Sequence, residues 1–195
     1  MTSAQLLPRS RVIVVDDEDR RLVERWRDGD RTAFAELVMR YQRPIYNVAY
    51  RILGNAEDAS EITQGVFLKV AERLDEYDPR FKFFSWICRI SINESLNLLR
   101  RNGREEQLDD EIDLPDPEYV NPEAQASAAQ QSARIQGALM GMKLEHRVVL
   151  TLRHFSECSY REIGQILEID EKTVKSRLFD ARQRLRELLK DLHKA

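Results

Sequence analysis

SYREIGQILEIDEKTVKSRLFDARQR occupies residues 159–184 and decides the fold of this chain. Ser159 and Glu162 have the spacing of a capping box, in which each side chain accepts a hydrogen bond from a backbone N–H at the helix start. A short helix is therefore expected directly after Ser159. A four-residue break follows, in which Asp170 can cap a second, longer helix. These signals predict a helix-turn-helix from Ser159 to Arg177.

One side of the second helix is free of core contacts in this pattern. Apolar residues recur along it at spacings of three and four, so one seam faces inward. The opposite side carries Lys172, Ser176, Phe179 and Gln183, with Lys175 and Asp180 on its flanks. Basic and short polar groups in the first turns of such a helix match base edges of the DNA major groove. The pattern predicts recognition of duplex DNA, and a solvated basic face on a bundle helix is the alternative.

The composition is that of a soluble, helix-rich protein. Its 195 residues are 42% hydrophobic and 33% charged, which leaves room for one or two small domains. No apolar run approaches the roughly 20 residues of a membrane span, and the N-terminus lacks a signal-peptide core, so we expect a cytoplasmic protein. Cys88 and Cys158 lie far apart, without a CxxC pattern or a histidine cluster, so neither a disulfide scaffold nor a metal site is predicted.

An acidic segment divides the chain. Between Arg104 and Glu123 there are nine acids, one base and three prolines, a composition that breaks any continuous helix. We predict an all-α fold of two small helical domains, residues 17–102 and 126–195, joined by an acidic flexible linker at 103–125. Residues 1–16 are expected to form a mobile tail. The net charge of −3 therefore conceals basic character on both sides of the linker.

Two stretches of the first domain have surface patterns of their own. Residues 56–76 read as a helix with Asp58, Glu61 and Gln64 outward, which is either a solvated face or an acidic docking stripe for a basic partner. Residues 80–89 then interleave four aromatic residues with three basic residues, a composition typical of surfaces that bind single-stranded nucleic acid. An inward seam of Phe84, Ile87, Cys88, Ser91, Ile92, Ser95 and Leu99 leaves Trp86, Arg89, Asn93, Asn97 and Arg100 on another face. An ordinary polar helix face is the alternative here.

Taken together, these motifs resemble the group IV, or extracytoplasmic-function, RNA polymerase sigma factors of bacteria, in the sigma-70 family. The resemblance covers about residues 19–102 and 134–192. It is carried by Gly29-Asp30 with Ala33-Phe34, Asp58 with Gln64 and Phe67, Phe84-Ser-Trp86 with Arg89-Ile90 and Asn93, Arg100-Arg101, Ser159-Tyr-Arg-Glu-Ile163 and Thr173-Val-Lys-Ser-Arg177.

The resemblance implies a division of labour between sigma domain two and sigma domain four. Asp58, Glu61 and Gln64 would dock on the clamp coiled coil of the largest polymerase subunit. Arg80, Lys82, Trp86, Arg89, Asn93, Asn97 and Arg100 would open and hold the minus-ten promoter element. Lys172, Thr173, Lys175, Ser176, Phe179, Asp180 and Gln183 would read the minus-thirty-five element.

The resemblance also implies the partners. These are core RNA polymerase, promoter DNA and an anti-sigma factor that could hold the nucleoid-associated protein at the inner membrane. No cofactor, metal, small-molecule substrate or catalysis is implied.

The sequence departs from the family pattern at three places. Gly65 stands where the family usually has Glu, which removes a charge from the docking stripe. Asp180 stands where a basic residue is common. An acidic side chain there can accept from cytosine N4 but repels phosphate. Met142-Lys143 replaces a usual Leu-Pro before the domain-four helices. The promoter sequence of other members therefore cannot be transferred to this chain.

Three other classes of protein have weaker support. Residues 11–18 look like the first strand and acidic pair of a phosphoacceptor receiver domain, but helical patterns follow. A helix-turn-helix activator or repressor would need a signal-binding N-terminal unit and should bind its operator without polymerase. An enzyme would need an acid-base or nucleophile constellation. His146, His154 and His193 are scattered, and no P-loop or dinucleotide glycine pattern occurs.

Overall fold

The computed structural model describes residues 16–103 and 125–191, and regular structure within these ranges is entirely helical. The N-terminal unit contains α1 (Asp16–Arg27), α2 (Arg31–Leu53), α3 (Ala56–Glu72), a 3₁₀ turn (Leu74–Glu76) and α4 (Phe83–Arg101). The C-terminal unit contains α5 (Gln125–Met140), α6 (Leu144–Leu150) with a π-helical turn (Thr151–Phe155), α7 (Tyr160–Leu167) and α8 (Glu171–Asp191). The all-α prediction is confirmed. The predicted tail, the receiver-like pattern and the linker fall almost entirely outside the described residues.

α2 is the central helix of the N-terminal unit and packs against α1, α3 and α4. Its start is fixed at the Gly29-Asp30 turn, where Gly29 adopts a φ of 95° and Asp30 accepts from the backbone N–H of Thr32. Hydrogen bonds from the side chains of Thr32 and Arg25 lower the pKa of Asp30 to about 2. The cap is therefore charged at neutral pH, as a helix N-terminus favours.

A buried polar group ties α1 to α2. Asp19 is almost fully buried, and its carboxylate accepts from the hydroxyl of Tyr41 and from Arg40 Nη1, the latter at 2.7 Å. Burial, followed by the hydrogen bond to Asp19, raises the pKa of Tyr41 above its usual value. A buried carboxylate is tolerated because both partners lie within hydrogen-bonding distance.

The helix expected over residues 56–76 is shorter than predicted. α3 ends at Glu72, because Arg73 leaves the helical region with φ −117° and ψ 24°, and a separate 3₁₀ turn follows. The apolar spacing continues through Leu74, so hydrophobic periodicity alone cannot mark this end. α3 begins directly after Gly54, which ends α2, and Asn55 caps its start.

The helix-turn-helix has the predicted local structure. Both bonds of the capping box are present, from Glu162 N to Ser159 Oγ at 3.2 Å and from Ser159 N to Glu162 Oε2 at 2.7 Å. Glu168 ends α7 with a φ of 57°. Asp170 then accepts from the backbone N–H of Thr173 at 2.7 Å. The angle between α7 and α8 is thus set by hydrogen bonds at both helix ends.

The two units pack against each other along a seam, which the sequence analysis does not anticipate. α4 contacts α7, and α2 contacts α5, α6 and the π-helical turn. Buried apolar residues of both units form one continuous cluster. In this arrangement the first helix of the helix-turn-helix lies against the aromatic and basic helix of the N-terminal unit.

Two helical glycines predict stability changes of opposite sign. A Cβ added to Gly65 in α3 would meet no heavy atom within 4 Å, so Gly65→Ala should raise the free energy of unfolding by about 1 kcal/mol through helix propensity. A Cβ added to Gly164 in α7 would lie 2.7 Å from the carbonyl oxygen of Ile169. Gly164→Ala should therefore lower the free energy of unfolding of the protein. Denaturant midpoints of the two variants measure both effects. Destabilisation by Gly65→Ala would show that this face of α3 is not open.

Candidate protein and nucleic-acid interfaces

The outward face of α3 is more apolar than the sequence pattern indicates. Glu61 and Gln64 are exposed, whereas Asp58 is half-buried in the first turn, where the cap Asn55 accepts from its backbone N–H at 2.9 Å. Asp58, which we expected to point outward with the other two, is therefore only partly exposed. Leu68 lies one turn beyond Gln64 and is 66% exposed. The sequence analysis missed it, although its distance of four residues from Gln64 and seven from Glu61 places it on the same helix face.

The aromatic residues before and within α4 divide between core and surface. Phe83 is buried, with its ring centroid 5.7 Å from that of Tyr41 and 5.4 Å from that of Tyr77. Phe84, predicted to face inward, is only half-buried and stacks on Tyr41. Trp86 is half-buried against Tyr77 and Phe83, so its ring is packed along one side. The helical phase alone cannot choose between the adjacent rings of Phe83 and Phe84.

The remaining members of the predicted stripe share one side of α4. Asn93, Asn97 and Arg100 are exposed, and Arg89 is half-buried. Ahead of the helix, Arg80 is bound to Asp78 through an Nη2–Oδ2 distance of 2.6 Å. That hydrogen bond lowers the pKa of Asp78. The name α4 stripe is used below for five side chains of this helix: Trp86, Arg89, Asn93, Asn97 and Arg100. It offers an aromatic ring, two amides and two guanidinium groups, which suit stacking on bases, base-edge hydrogen bonds and phosphate contacts.

Two side chains that are predicted to contact nucleic acid, Lys82 and Arg89, instead form ion pairs with acidic residues of the C-terminal unit. Lys82 Nζ lies 2.6 Å from Glu162 Oε1, and Arg89 forms an ion pair with Glu168. Burial would raise the pKa of Glu162, but hydrogen bonds from Lys82 and Ser159 hold it below its usual range. Both acids belong to α7 or its C-cap, so these pairs cross the seam.

The predicted DNA-facing side of α8 is exposed. Lys172, Lys175, Ser176, Phe179, Asp180 and Gln183 all face solvent, and this set is called the α8 face below. Phe179 is 62% exposed, although it is a large apolar side chain. Thr173, also predicted to contact DNA, is half-buried, and its N–H and hydroxyl both donate to Asp170. Thr173 therefore stabilises the start of the helix, which limits its reach toward a base.

Buried contacts on the opposite side keep α8 in place. Val174, Leu178 and Ala181 have no exposed surface. Arg177, on the flank, binds Glu145 of α6 through an Nη2–Oε2 distance of 3.1 Å. One side of α8 is therefore fully used in packing, and the other carries polar groups and one exposed ring.

The described residues offer little for metal or acid-base chemistry. Within residues 16–103 and 125–191, no three His, Cys, Asp or Glu side chains are grouped so that they could hold a metal ion. His154 Nε2 accepts from Arg182 Nε at 3.4 Å, and burial, aided by the charges of Arg182 and Arg153, lowers its pKa. Burial raises the pKa of the thiols of Cys88 and Cys158. In the same part of the chain, no helix combines the length and apolarity of a membrane span.

The chain matches two family models and several curated relatives. Sigma-70 region 2 matches residues 37–105, and Sigma-70, region 4 matches residues 132–185. The extracytoplasmic-function (ECF) RNA polymerase sigma factor SigW of Bacillus subtilis is 32% identical over 179 residues, which cover 87% of this chain and 96% of that protein. The ECF RNA polymerase sigma-E factor of Escherichia coli K12 is 30% identical over 175 residues, 85% of this chain and 91% of that protein.

Solved structures agree with this result. The sigma factor RpoE of Bartonella quintana, in complex with the anti-sigma factor NepR, is 25% identical, with a TM-score of 0.66 over 80% of this chain and 96% of that one. CnrH, in complex with the cytosolic domain of CnrY, has the same fold, with a TM-score of 0.70, 24% identity, and coverage of 90% of this chain and 99% of that one. From its family models and its curated relatives, the chain belongs to the ECF RNA polymerase sigma factors.

Proposed function

We propose that this sigma factor uses three separate surfaces in promoter-specific transcription initiation. The outward face of α3 docks on core RNA polymerase, the α4 stripe with Arg80 and Lys82 captures the opened minus-ten element, and the α8 face reads the minus-thirty-five element. Residues 17–102 form sigma domain two, residues 126–195 form sigma domain four, and residues 103–125 join them. The single observation that carries the proposal is the exposed polar side of α8, which lies opposite the fully buried row of Val174, Leu178 and Ala181.

The physical role of the α8 face is readout of base edges. The major groove admits an α-helix, and Lys, Ser and Gln side chains match its donors and acceptors. Phe179 is suited to a thymine methyl group, since an exposed apolar ring is favourable only where it meets another apolar surface. Asp180 can accept from cytosine N4 but repels phosphate. It therefore favours a different DNA sequence from that read by members with a basic residue at this position.

The physical role of the α4 stripe is to hold a strand that has already left the duplex. An unpaired base loses its stacking partner, and an aromatic ring replaces that partner at about 1–3 kcal/mol per base. Exposed amides and guanidinium groups add base-edge and phosphate contacts. Strand opening therefore needs no nucleotide hydrolysis by the sigma factor, and we propose that the chain has no catalytic activity, cofactor or small-molecule substrate.

The partners follow from this division of surfaces. We propose core RNA polymerase, promoter DNA and an anti-sigma factor as partners, in a cytoplasmic, nucleoid-associated protein that its anti-sigma factor could hold at the inner membrane. The relatives RpoE and CnrH form complexes with NepR and with the cytosolic domain of CnrY, respectively, which supports the third partner.

The deciding experiment is transcription in vitro with core polymerase and mapping of the start sites. A shared pair of upstream elements among the mapped promoters is the expected result. A helix-turn-helix repressor or activator, by contrast, would bind an operator tightly as a dimer without polymerase. Tight, site-specific duplex binding by the free chain, with no stimulation of core polymerase, would therefore contradict the proposal.

The α3 face predicts a loss of polymerase binding without a loss of folding. Glu61→Lys should strongly reduce holoenzyme formation, because it reverses an exposed charge, while surface changes of this kind shift stability by only about 0.5 kcal/mol. Asp58→Lys is a poorer test, since it places a base at a helix N-terminus. The exposed Glu24→Lys on α1 is the matched control. Pull-down of core polymerase by folded Glu61→Lys at the level of the control would refute the docking assignment.

The α4 stripe predicts a defect at strand opening rather than at docking. Asn93→Ala should retain polymerase binding and closed promoter complexes but lose open complexes, measured by permanganate reactivity of unpaired thymines. Asn47→Ala, at an exposed asparagine of α2, is the control and should open promoters normally. Trp86→Ala should lower the melting temperature as well, because its ring packs on Tyr77 and Phe83. Normal opening by Asn93→Ala would assign this position to solvated surface.

The α8 face predicts two classes of DNA-binding variant. Lys175→Ala and Ser176→Ala should change preference among upstream-element variants by about 1–3 kcal/mol per contacted base pair. Arg186→Ala, in the exposed later turns, should weaken all sequences alike and reduce the salt dependence. Competition binding of holoenzyme to an element library separates the two classes. A uniform loss from Ser176→Ala and Lys175→Ala would mean that neither side chain reads a base.

A further inference from the structure

Side chains of α1 hold the segment that connects the 3₁₀ turn to α4. This segment, residues 77–82, lies outside any helix and is called the α4 loop below. Arg27, the last residue of α1, donates from Nη2 to the carbonyl oxygen of Tyr77 at 3.1 Å and to that of Leu74 at 3.2 Å. These acceptors lie 50 and 47 residues from Arg27 in the chain. The position of the loop therefore depends on α1 as well as on the helices that precede and follow it.

α1 makes a second contact with the α4 loop and has a fixed place in the N-terminal unit. Arg20, about two helical turns before Arg27 and on the same side of α1, donates from Nη2 to the carbonyl oxygen of Pro79 at 3.3 Å. On its inner side α1 is joined to α2 by the buried hydrogen bond from the hydroxyl of Tyr41 to Asp19. α1 thus connects the loop to the central helix of its unit.

Hydrogen bonds within the α4 loop complete its shape. The backbone N–H of Phe81 donates to the carbonyl oxygen of Asp78 at 3.1 Å, and the carboxylate of Asp78 accepts from the backbone N–H of Arg80 at 2.9 Å. The hydroxyl of Tyr77 donates to the carbonyl oxygen of Phe81 at 2.8 Å. Tyr77 is buried, and its ring centroid lies 5.4 Å from that of Trp86 in the α4 stripe. Tyr77 therefore joins the loop to the stripe, and Arg27 holds Tyr77 from outside.

The anchored loop presents two of the cations that are proposed for the minus-ten strand. The side chains of Arg80 and Lys82 are 84% and 46% exposed. Ordering a loop residue has an entropic cost, and a ligand that must order its binding loop is bound more weakly by that amount. Bonds that hold the loop before the strand arrives remove this cost. A residue can therefore strengthen strand binding without touching DNA.

We propose that Arg27 is a positioning residue for the minus-ten surface, which acts through the α4 loop together with the hydroxyl of Tyr77. This inference rests on the proposed role of Arg80 and Lys82 in holding the opened strand. It adds a function for α1, which ends before residue 37, where the match to Sigma-70 region 2 begins. The strand is bound by the loop and α4, and α1 sets the position in which the loop meets it.

The test removes one anchor at a time from the full chain. Arg27→Gln shortens the side chain and removes its charge, whereas Tyr77→Phe removes the hydroxyl that holds Phe81 and leaves the ring in place. Each should reduce open complexes at a mapped promoter about fivefold, as expected for loss of about one net hydrogen bond. Permanganate reactivity of unpaired thymines measures the effect. Binding to core polymerase should not change.

A matched control and a conservative variant accompany these changes. Arg21→Gln makes the same change in charge at an exposed residue of α1 and should open promoters normally. Arg27→Lys keeps the positive charge and an N–H donor at this position, so it should recover part of the opening that Arg27→Gln loses. Circular dichroism melting shows whether any variant is unfolded under the conditions of the assay.

A double-mutant cycle distinguishes positioning from a general structural defect. In a chain that carries Arg80→Ala and Lys82→Ala, the further loss caused by Arg27→Gln should fall below about twofold, because the loop no longer carries the cations that it positions. A general defect would instead add its full fivefold loss to that of the other two changes. So would a direct contact of Arg27 with phosphate, which Tyr77→Phe would also leave intact.

Each failure has its own signature. Normal opening by Arg27→Gln would overturn the inference, as would a fully additive loss in the cycle or normal opening by Tyr77→Phe. These results would leave the roles of Arg80 and Lys82 untouched. Normal opening by the chain with Arg80→Ala and Lys82→Ala would refute the proposed function of these two residues, and with it the basis of the inference.

Discussion

The guanidinium of Arg147 is almost completely removed from solvent, yet among the described residues it donates to carbonyl oxygens and to no carboxylate. Its oxygen acceptors are carbonyl groups at or just beyond the ends of α2 and α5, and Met140 Sδ lies 3.6 Å from Nη1. Burial lowers its pKa to about 10, so it stays cationic at neutral pH. A buried cation is stable only while its donors are satisfied. The relative position of α2, α5 and α6, and with it the seam, therefore depends on keeping these acceptors together.

Helix ends determine most of the remaining geometry. Asp30, Asn55, Ser159 and Asp170 each cap a helix with a side-chain oxygen. Because a cap fixes where a helix begins, it also fixes which residues face outward along it. The side of α8 opposite Val174 follows from the Asp170 cap and the apolar spacing, with no long-range contact needed.

This local origin explains what the sequence could and could not predict. The exposure of the α8 face follows from one helix and its cap, so Ser176 and Gln183 could be placed from spacing alone. The choice of Phe83 over Phe84 as the core ring depends on Tyr41 and Tyr77, which lie far away in the chain. The half-burial of Asp58 and the exposure of Leu68 likewise depend on how α3 packs.

The seam was invisible to sequence reasoning for a related reason. Arg51, Gln136 and Arg147 are polar residues, and polar residues are mostly found at surfaces. Gln136 and Arg147 can be buried, and Arg51 half-buried, only because each meets partners from another helix across the two units. No local periodicity records such a partnership, and the acidic segment between the units suggests independence. The family resemblance, which treats the units as separate domains, points the same way.

Glu162 shows why an acid is retained on a DNA-binding motif. The first helix of a helix-turn-helix crosses the DNA backbone, where a carboxylate would be repelled by phosphate. Glu162 accepts from the backbone N–H of Ser159, so replacing it would remove half of the capping box that starts α7. In this structure Lys82 neutralises this charge. The same carboxylate therefore starts α7 and joins it to the segment before α4.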